Sequence, residues 1–98
     1  MRIITIDWET YFSTKDKYTL TKMGPVTYIR DPRFYTLCLG VRINRNPTIV
    51  VGHDEIPAAL RAYNLERDDT IVVGHNLAGF DALILSERYG IRPRFLVD

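Results

Sequence analysis

The stretch "MRIITIDWET" (residues 1–10) sets the fold expected of this chain, because it joins an apolar run to two carboxylates. Its isoleucines are typical of a buried strand. Asp7 and Glu9 follow two residues apart, so on a strand their side chains point to the same face. Two adjacent carboxylates repel each other unless a proton or a cation neutralises them. The stretch therefore predicts either a solvated strand end or a site for a hard cation such as Mg²⁺ or Mn²⁺.

Working outward from this strand, the hydrophobic pattern alternates between strands and helices. Residues 10–25 are predicted as an irregular loop, and residues 26–34 as a short extended piece because Pro32 disfavours helix before it. Strands are predicted at 1–7, 35–43, 48–53 and 70–74, helices at 54–66 and 78–89, and a last strand from residue 93. This order predicts an α/β fold with a mixed sheet and helices packed on it.

Length and composition are those of one small globular domain. The chain has 98 residues, of which 46% are hydrophobic and 26% charged, with a formal net charge of +1. The near-zero net charge means that an anionic partner must be recognised locally. A single cysteine cannot form an internal disulfide, and no apolar stretch approaches the roughly 20 residues of a membrane span. We therefore expect a cytoplasmic protein, and the apolar ending "PRFLVD" (93–98) leads us to expect a fragment of a longer one.

A second group of polar residues lies in "VVGHNLAGFDALIL" (72–85), which reads as strand, turn and helix. Asn76 precedes Asp81 by five residues, and Phe80 stands directly before the acid. The helix dipole favours an ionised carboxylate in the first turns. If Asp81 approaches Asp7 and Glu9, three acids surround one site. Such a set suits hydrolysis of a phosphodiester with two metal ions.

These two groups resemble a known family. "DWET" (7–10) and "GHNLAGFD" (74–81) are similar to the first and second motifs of the 3′–5′ proofreading exonucleases, which carry four acids on a ribonuclease-H-like fold. "TYIRDPRFYTLCLGV" (27–41) resembles the region between those motifs in bacteriophage-type family-A DNA polymerases. The resemblance implies that residues 1–98 form the N-terminal part of such an exonuclease domain. The third motif, with a Tyr or His and the fourth acid, has no counterpart here.

The resemblance also implies residue roles. Asp7 would bridge two Mg²⁺ or Mn²⁺ ions, Glu9 would bind the ion that holds the attacking water, and Asp81 would bind the second ion. Asn76 would orient the site or touch the DNA strand. Thr10 would contact the terminal nucleotide. Phe80 and Trp8 would supply aromatic rings near it, on which a base could stack.

Four other residues invite a functional interpretation and are weighed against a structural one. His75 and His53, each at the end of a predicted strand, are expected to be structural. Arg30 and Arg33 flank an Asp-Pro pair, where a solvated loop is favoured over a phosphate site, although arginine forks suit phosphate.

The implied function is metal-dependent removal of nucleotides from a single-stranded DNA 3′ end, beside the rest of a DNA polymerase or exonuclease domain. Because one acid and the third-motif residue are missing, we expect little or no activity from this chain alone. The alternative is an inactive exonuclease-like module that binds nucleic acid or a partner, with a homodimer as one way to pair an open sheet edge. A small α/β domain whose acids are surface residues is a third interpretation.

Overall fold

The computed structural model describes residues 1–74 and 80–98 as a mixed sheet with helices against one face. The elements are β1 (Arg2–Thr10), α1 (Leu20–Met23), α2 (Pro25–Arg30), β2 (Thr36–Ile43), β3 (Ile49–Gly52), a 3₁₀ turn (His53–Glu55), α3 (Ile56–Tyr63), β4 (Thr70–Val73), α4 (Ala82–Tyr89) and β5 (Phe95–Val97). The predicted α/β class with a mixed sheet is confirmed, and it is consistent with part of a ribonuclease-H-like domain.

β1 is the central strand of the sheet, whose order is β3-β2-β1-β4-β5. The β1–β2 and β2–β3 pairs are antiparallel. β1–β4 and β4–β5 are parallel, and α4 provides the crossover between the last two strands. The carboxyl ends of β1 and β4 therefore meet at the same end of the sheet.

Alternation along β1 separates two faces of the sheet. Ile4, Ile6 and Trp8 point toward the helices and are at most 5% exposed, whereas Asp7 and Glu9 point to the opposite face and are exposed. We call these the covered face and the open face. The core on the covered face consists of Ile4, Ile6, Trp8, Tyr18, Tyr28, Ile29, Leu39, Val41, Val51, Ile56, Leu60, Leu65, Val72, Ile84 and Leu85.

The prediction for residues 26–34 is wrong, because most of this piece is the helix α2. Pro25 stands at its first position, where the missing N–H costs no hydrogen bond. Gly24, with φ +79°, separates α2 from α1, and this left-handed angle favours glycine. Asp31 is extended and ends the helix before Pro32. The proline rule located the end of the element but did not identify its type.

Other element boundaries differ by smaller amounts. β1 continues through Glu9 to Thr10, so both acids lie within the strand, and the predicted loop at 10–25 contains α1. The predicted helix 54–66 is a 3₁₀ turn followed by α3. Gly90 caps α4 in the left-handed conformation, as predicted. The first two residues of the predicted helix 78–89 lie outside the described residues.

The open face carries apolar side chains beside its acids. Register through β4 places Phe95 and Val97 on the same face as Ile3, and all three are nearly half exposed. Across the described ranges, no helix is long and apolar enough to span a membrane.

Candidate metal and nucleic-acid site

Asp7 and Glu9 lie side by side on the open face, near the carboxyl end of the central strand. Within residues 1–74 and 80–98, neither carboxylate forms an ion pair or a side-chain hydrogen bond. No described cation of the chain therefore offsets their mutual repulsion through a direct ion pair. Two exposed carboxylates without partners are oxygen donors of the kind that Mg²⁺ and Mn²⁺ accept while keeping several waters.

These acids line a shallow depression of about 390 Å³ that we call the acid cleft. Gly40 lies opposite Asp7 on β2, and a Cβ added there would sit 3.8 Å from the Asp7 Cβ, so the glycine keeps this side of the acid open. Arg42, opposite Thr5, contributes a positive charge to the same cleft. The acid cleft is lined by Thr5, Ile6, Asp7, Glu9, Cys38, Gly40, Arg42, Thr48 and Val50.

A second cleft, of about 420 Å³, begins on the other side of Glu9. We call it the threonine cleft, and its lining residues are Trp8, Glu9, Thr10, Phe12, Thr14, Thr19, Leu20, Thr21, Tyr28 and Phe80. Glu9 lines both clefts, whereas Asp7 lines the acid cleft. Four of the residues predicted from the sequence therefore meet in one depression, namely Trp8, Glu9, Thr10 and Phe80.

Hydrogen bonds around Thr10 fix the direction of its hydroxyl proton. The Tyr28 hydroxyl donates to the carbonyl oxygen of Tyr11 at 2.5 Å and lies 2.9 Å from the Thr10 Oγ1. A phenol has a single proton, so the Thr10 hydroxyl is the donor in the second bond. The only proton of the Thr10 hydroxyl is used in this bond, so the Thr10 oxygen has lone pairs but no proton to offer a ligand. Toward a ligand in the threonine cleft, Thr10 acts as an acceptor.

Trp8 is buried on the covered face although it stands between the two acids. Its ring stacks on Tyr89 with centroids 5.5 Å apart and an angle of 11° between the planes. Its indole Nε1 is buried and has no hydrogen-bond partner among the described residues. A buried donor without a partner is uncommon in proteins and costs stability. Whether Trp8 contacts a nucleotide stays a prediction.

Asp81 is 5% exposed and stands directly before the first residue of α4, with helical backbone angles. Phe80 is half-buried and packs at a tilt against Tyr28, with centroids 6.0 Å apart. Among the described residues, no three His, Cys, Asp or Glu side chains converge in a group that could hold a metal ion. Asn76 and His75 lie outside the described residues. That Asp81 forms one metal site with Asp7 and Glu9 therefore stays a prediction.

The arginines beside the Asp-Pro turn have partners within the chain. Arg33 binds the Asp31 carboxylate through Nε and Nη2 at 2.9 and 3.0 Å, and these bonds lower the pKa of Asp31 to about 2. Arg30 binds Glu87 on α4, which lowers the pKa of that carboxyl. Both guanidinium groups bind carboxylates of the chain itself. These bonds favour the loop interpretation over a phosphate site.

Sequence reasoning missed Arg42, Gly40 and Tyr28 as neighbours of the site. The first two reach the acid cleft through the register of β1 against β2, which has an irregularity at Glu9 and Thr10. Strand alternation alone does not fix such a register. Cys38, the single cysteine of the chain, is half-buried and lines the acid cleft opposite Glu9.

Comparison with known proteins gives a match at the level of fold. No family model and no curated protein sequence matches the chain. A solved structure that does match is the family B DNA polymerase from the hyperthermophilic archaeon Pyrobaculum calidifontis, with 21% identity and a TM-score of 0.54. The match covers 91% of this chain and 11% of that chain, so this chain spans about a tenth of the polymerase. At this identity the likeness concerns the fold, and the family-A assignment is not confirmed.

Proposed function

We propose that this chain is part of a metal-dependent 3′–5′ exonuclease domain associated with a DNA polymerase. The observation that carries the proposal is the pair of exposed carboxylates, Asp7 and Glu9, side by side on the central strand. The fold match to a DNA polymerase adds support, as do the two motifs. The phage-type family-A origin rests on the sequence motifs, and a cytoplasmic location belongs to the same proposal.

The donor set fits a hard cation in part. Asp7 and Glu9 provide two oxygen ligands with no competing cation bound to them. Asp81 is the proposed third ligand, and Asn76 the proposed supporting residue. Two Mg²⁺ or Mn²⁺ ions, when bound, would lower the pKa of a water and stabilise the leaving oxygen. The chain itself would hold the carboxylates on a rigid strand, so that their geometry is set before substrate arrives.

The threonine cleft is the proposed place of the terminal nucleotide. The Thr10 oxygen can accept a hydrogen bond, so it would accept one from a 3′ hydroxyl. Phe80, packed on Tyr28, would line the side of the sugar or base. Glu9 borders both clefts and would lie nearest the scissile bond. A single-stranded DNA 3′ end is thus the proposed substrate, with the remainder of a polymerase or exonuclease domain as partner.

A Mn²⁺ titration of the chain by calorimetry tests the metal site directly. We expect Asp7→Asn and Glu9→Gln each to weaken binding by more than about tenfold, because each removes one of two charged ligands on the open face. Asp54→Asn removes an exposed acid from the 3₁₀ turn and should leave binding unchanged. Equal affinity in all variants would remove the basis of the proposal.

Catalysis is tested with an oligonucleotide labelled at its 3′ end. With Mn²⁺ present, the expected product is a labelled mononucleotide, at a low rate if further ligands are needed. Asp7→Asn should abolish that rate, and Asp54→Asn should not change it. Release that persists in Asp7→Asn would show that Asp7 is not the metal ligand of the reaction.

The second candidate function is an inactive exonuclease-like module that binds nucleic acid or a partner. It is favoured by the finding that the described residues bring no three metal-ligating side chains together. On this alternative, Mn²⁺ and DNA bind but no nucleotide is released, even at high enzyme concentration. Sedimentation of the chain tests the related homodimer, which would pair an open sheet edge.

A further inference from the structure

A small pocket of about 160 Å³ lies beside the end of β1 and does not take part in the proposed reaction. Its lining combines two basic side chains, three hydroxyl-bearing residues and aromatic rings. We call it the His53 pocket, lined by Phe34, Tyr35, Thr36, His53, Arg88 and Tyr89. At roughly 30 Å³ for each water, it has room for a few water molecules or a tetrahedral oxyanion.

Arg88 is a fixed cation in this pocket that has no carboxylate partner. Its Nε donates to the carbonyl of Ile29 at 2.8 Å, and its Nη2 donates to that of Asp31 at 2.9 Å. Its guanidinium carbon also lies 5.0 Å from the ring centre of Phe34. Among the described residues it forms no ion pair. The carbonyl groups orient the guanidinium without neutralising it, and its charge also acts on the nearby Asp31 carboxylate, which binds Arg33 directly.

His53 lines this pocket and has one ring nitrogen that no described residue contacts through a hydrogen bond. Its Nδ1 lies 2.6 Å from the carbonyl oxygen of Thr36, so Nδ1 carries a proton and donates it. Its ring is held by stacking on Tyr35, with centroids 3.8 Å apart and planes 16° apart. Within the described part of the chain, Nε2 has no hydrogen-bond partner. The nitrogen that remains can accept from an acid phosphate or, with a second proton, donate to a phosphate oxygen.

Two hydroxyls complete the polar lining. The Thr36 Oγ1 lies 2.9 Å from the Tyr89 hydroxyl and 3.2 Å from the His53 Nδ1. Thr36 is 2% exposed, so its position is set by the packing around it. One of these hydroxyls donates to the other, so one hydroxyl proton remains for a ligand beside the Arg88 guanidinium. A fixed cation with a neighbouring donor is typical of sites that bind oxyanions.

We propose that the His53 pocket binds a phosphate group of a nucleotide, with the base against the exposed ring of Tyr35. The guanidinium of Arg88, the Nε2 of His53 and the one hydroxyl whose proton is not used in the Thr36–Tyr89 bond contact the phosphate oxygens. Tyr35 is 44% exposed and offers the aromatic surface on which a base stacks. The phosphate can belong to a DNA strand or to a free mononucleotide, and the pocket chemistry is the same for both.

The position of the pocket suits a strand that also reaches the acids. Thr36 is the cross-strand partner of Thr10, which borders the threonine cleft. Paired residues of antiparallel strands have Cα atoms only about 5 Å apart, so the two depressions are neighbours. Tyr89 of the pocket also stacks on Trp8. Phosphate binding here does not require metal or hydrolysis, so it stands even if the proposed exonuclease function fails.

Titrations followed by NMR, in EDTA to exclude metal, test the proposal. The ligands are inorganic phosphate, deoxyadenosine monophosphate, deoxyadenosine and a short oligothymidylate. We expect the three phosphate-bearing ligands to shift the His53 ring and Arg88 guanidinium signals, and deoxyadenosine to shift them at least about tenfold less at equal concentration. Tighter binding of the oligomer identifies a strand phosphate, whereas tighter binding of the monophosphate identifies a free nucleotide.

Variants locate the binding. His53→Asn keeps a donor toward the Thr36 carbonyl but removes Nε2, and it should weaken phosphate binding about tenfold. Arg88→Gln should weaken it at least as much, and Arg30→Gln is the matched control because it removes an equal charge that already pairs with Glu87. Unchanged affinity in folded His53→Asn, or phosphate shifts that avoid both residues, would overturn the proposal.

Discussion

The two faces of β1 differ in what their residues do for the molecule. The covered face has Ile4 and Ile6 packed beneath helices. The open face has Asp7 and Glu9, which are exposed and form no ion pair with any described residue. Burial of apolar surface supplies stability on the first face. On the open face, repulsion between the two carboxylates lowers stability. The geometry of that face suits ligand binding instead. Alternate positions of one strand thus have different roles, since those on the covered face stabilise the fold and those on the open face are available to a ligand.

The largest expected effect is on the covered face. Ile4→Ala should lower the free energy of unfolding by about 2–5 kcal/mol, because it leaves a cavity in a fully buried position. Ile3→Ala makes the same deletion on the open face, at 44% exposure, and should cost less than about 1 kcal/mol. Urea unfolding followed by circular dichroism measures both. Equal losses would contradict the distinction between the faces.

Alkaline pH tests the core next to the covered face. Tyr18 is fully buried, and this burial, with nearby Tyr28, raises its pKa to about 12. The folded chain holds the phenol proton more tightly than the unfolded chain, so this stability is complete below pH 10 and is lost as the pH rises toward 12. We expect a loss of about 2–3 kcal/mol in urea unfolding across that range. Tyr18→Phe should flatten this part of the profile, and an unaltered slope would disprove the assignment.

The hydrogen bonds below the threonine cleft should have an intermediate effect. Tyr28→Phe removes the hydroxyl that joins Thr10 to the Tyr11 carbonyl, and should cost about 1–3 kcal/mol. Tyr35→Phe removes a hydroxyl from an exposed ring and should change stability by less than about 0.5 kcal/mol. Thermal unfolding of the two variants provides the comparison. If Tyr28→Phe lost no more stability than Tyr35→Phe, the hydrogen bonds of the Tyr28 hydroxyl would make no special contribution to stability.

The smallest expected effect is on the open face. Asp7→Asn should change the free energy of unfolding by less than about 0.5 kcal/mol in EDTA, because the carboxylate has no partner in the described residues to lose. Unfolding of the wild-type chain and the variant with added Mn²⁺ should then differ, since a bound ion stabilises only the chain that retains its ligands. A loss above about 1 kcal/mol in EDTA would reveal a structural role for Asp7.

Sequence patterns predicted the sheet well and the site in part. The alternation of β1 correctly placed Asp7 and Glu9 on one face, because side-chain direction in a strand depends on local geometry alone. α2 was missed because Pro25 reads as a break as readily as a helix start. The burial of Asp81 depends on how α4 packs, and the pairing of Thr36 with Thr10 depends on a register irregularity. Neither has a local signal in the sequence.

The stack of Trp8 on Tyr89 gives the molecule a built-in optical probe. The chain has one tryptophan, so its intrinsic emission comes from a single known place. That indole stands between the two acids along the strand, and its stacking partner lines the His53 pocket. A ligand that displaces the Tyr89 ring would change the surroundings of this indole. Fluorescence of the unlabelled chain can therefore follow ligand arrival at either site in real time.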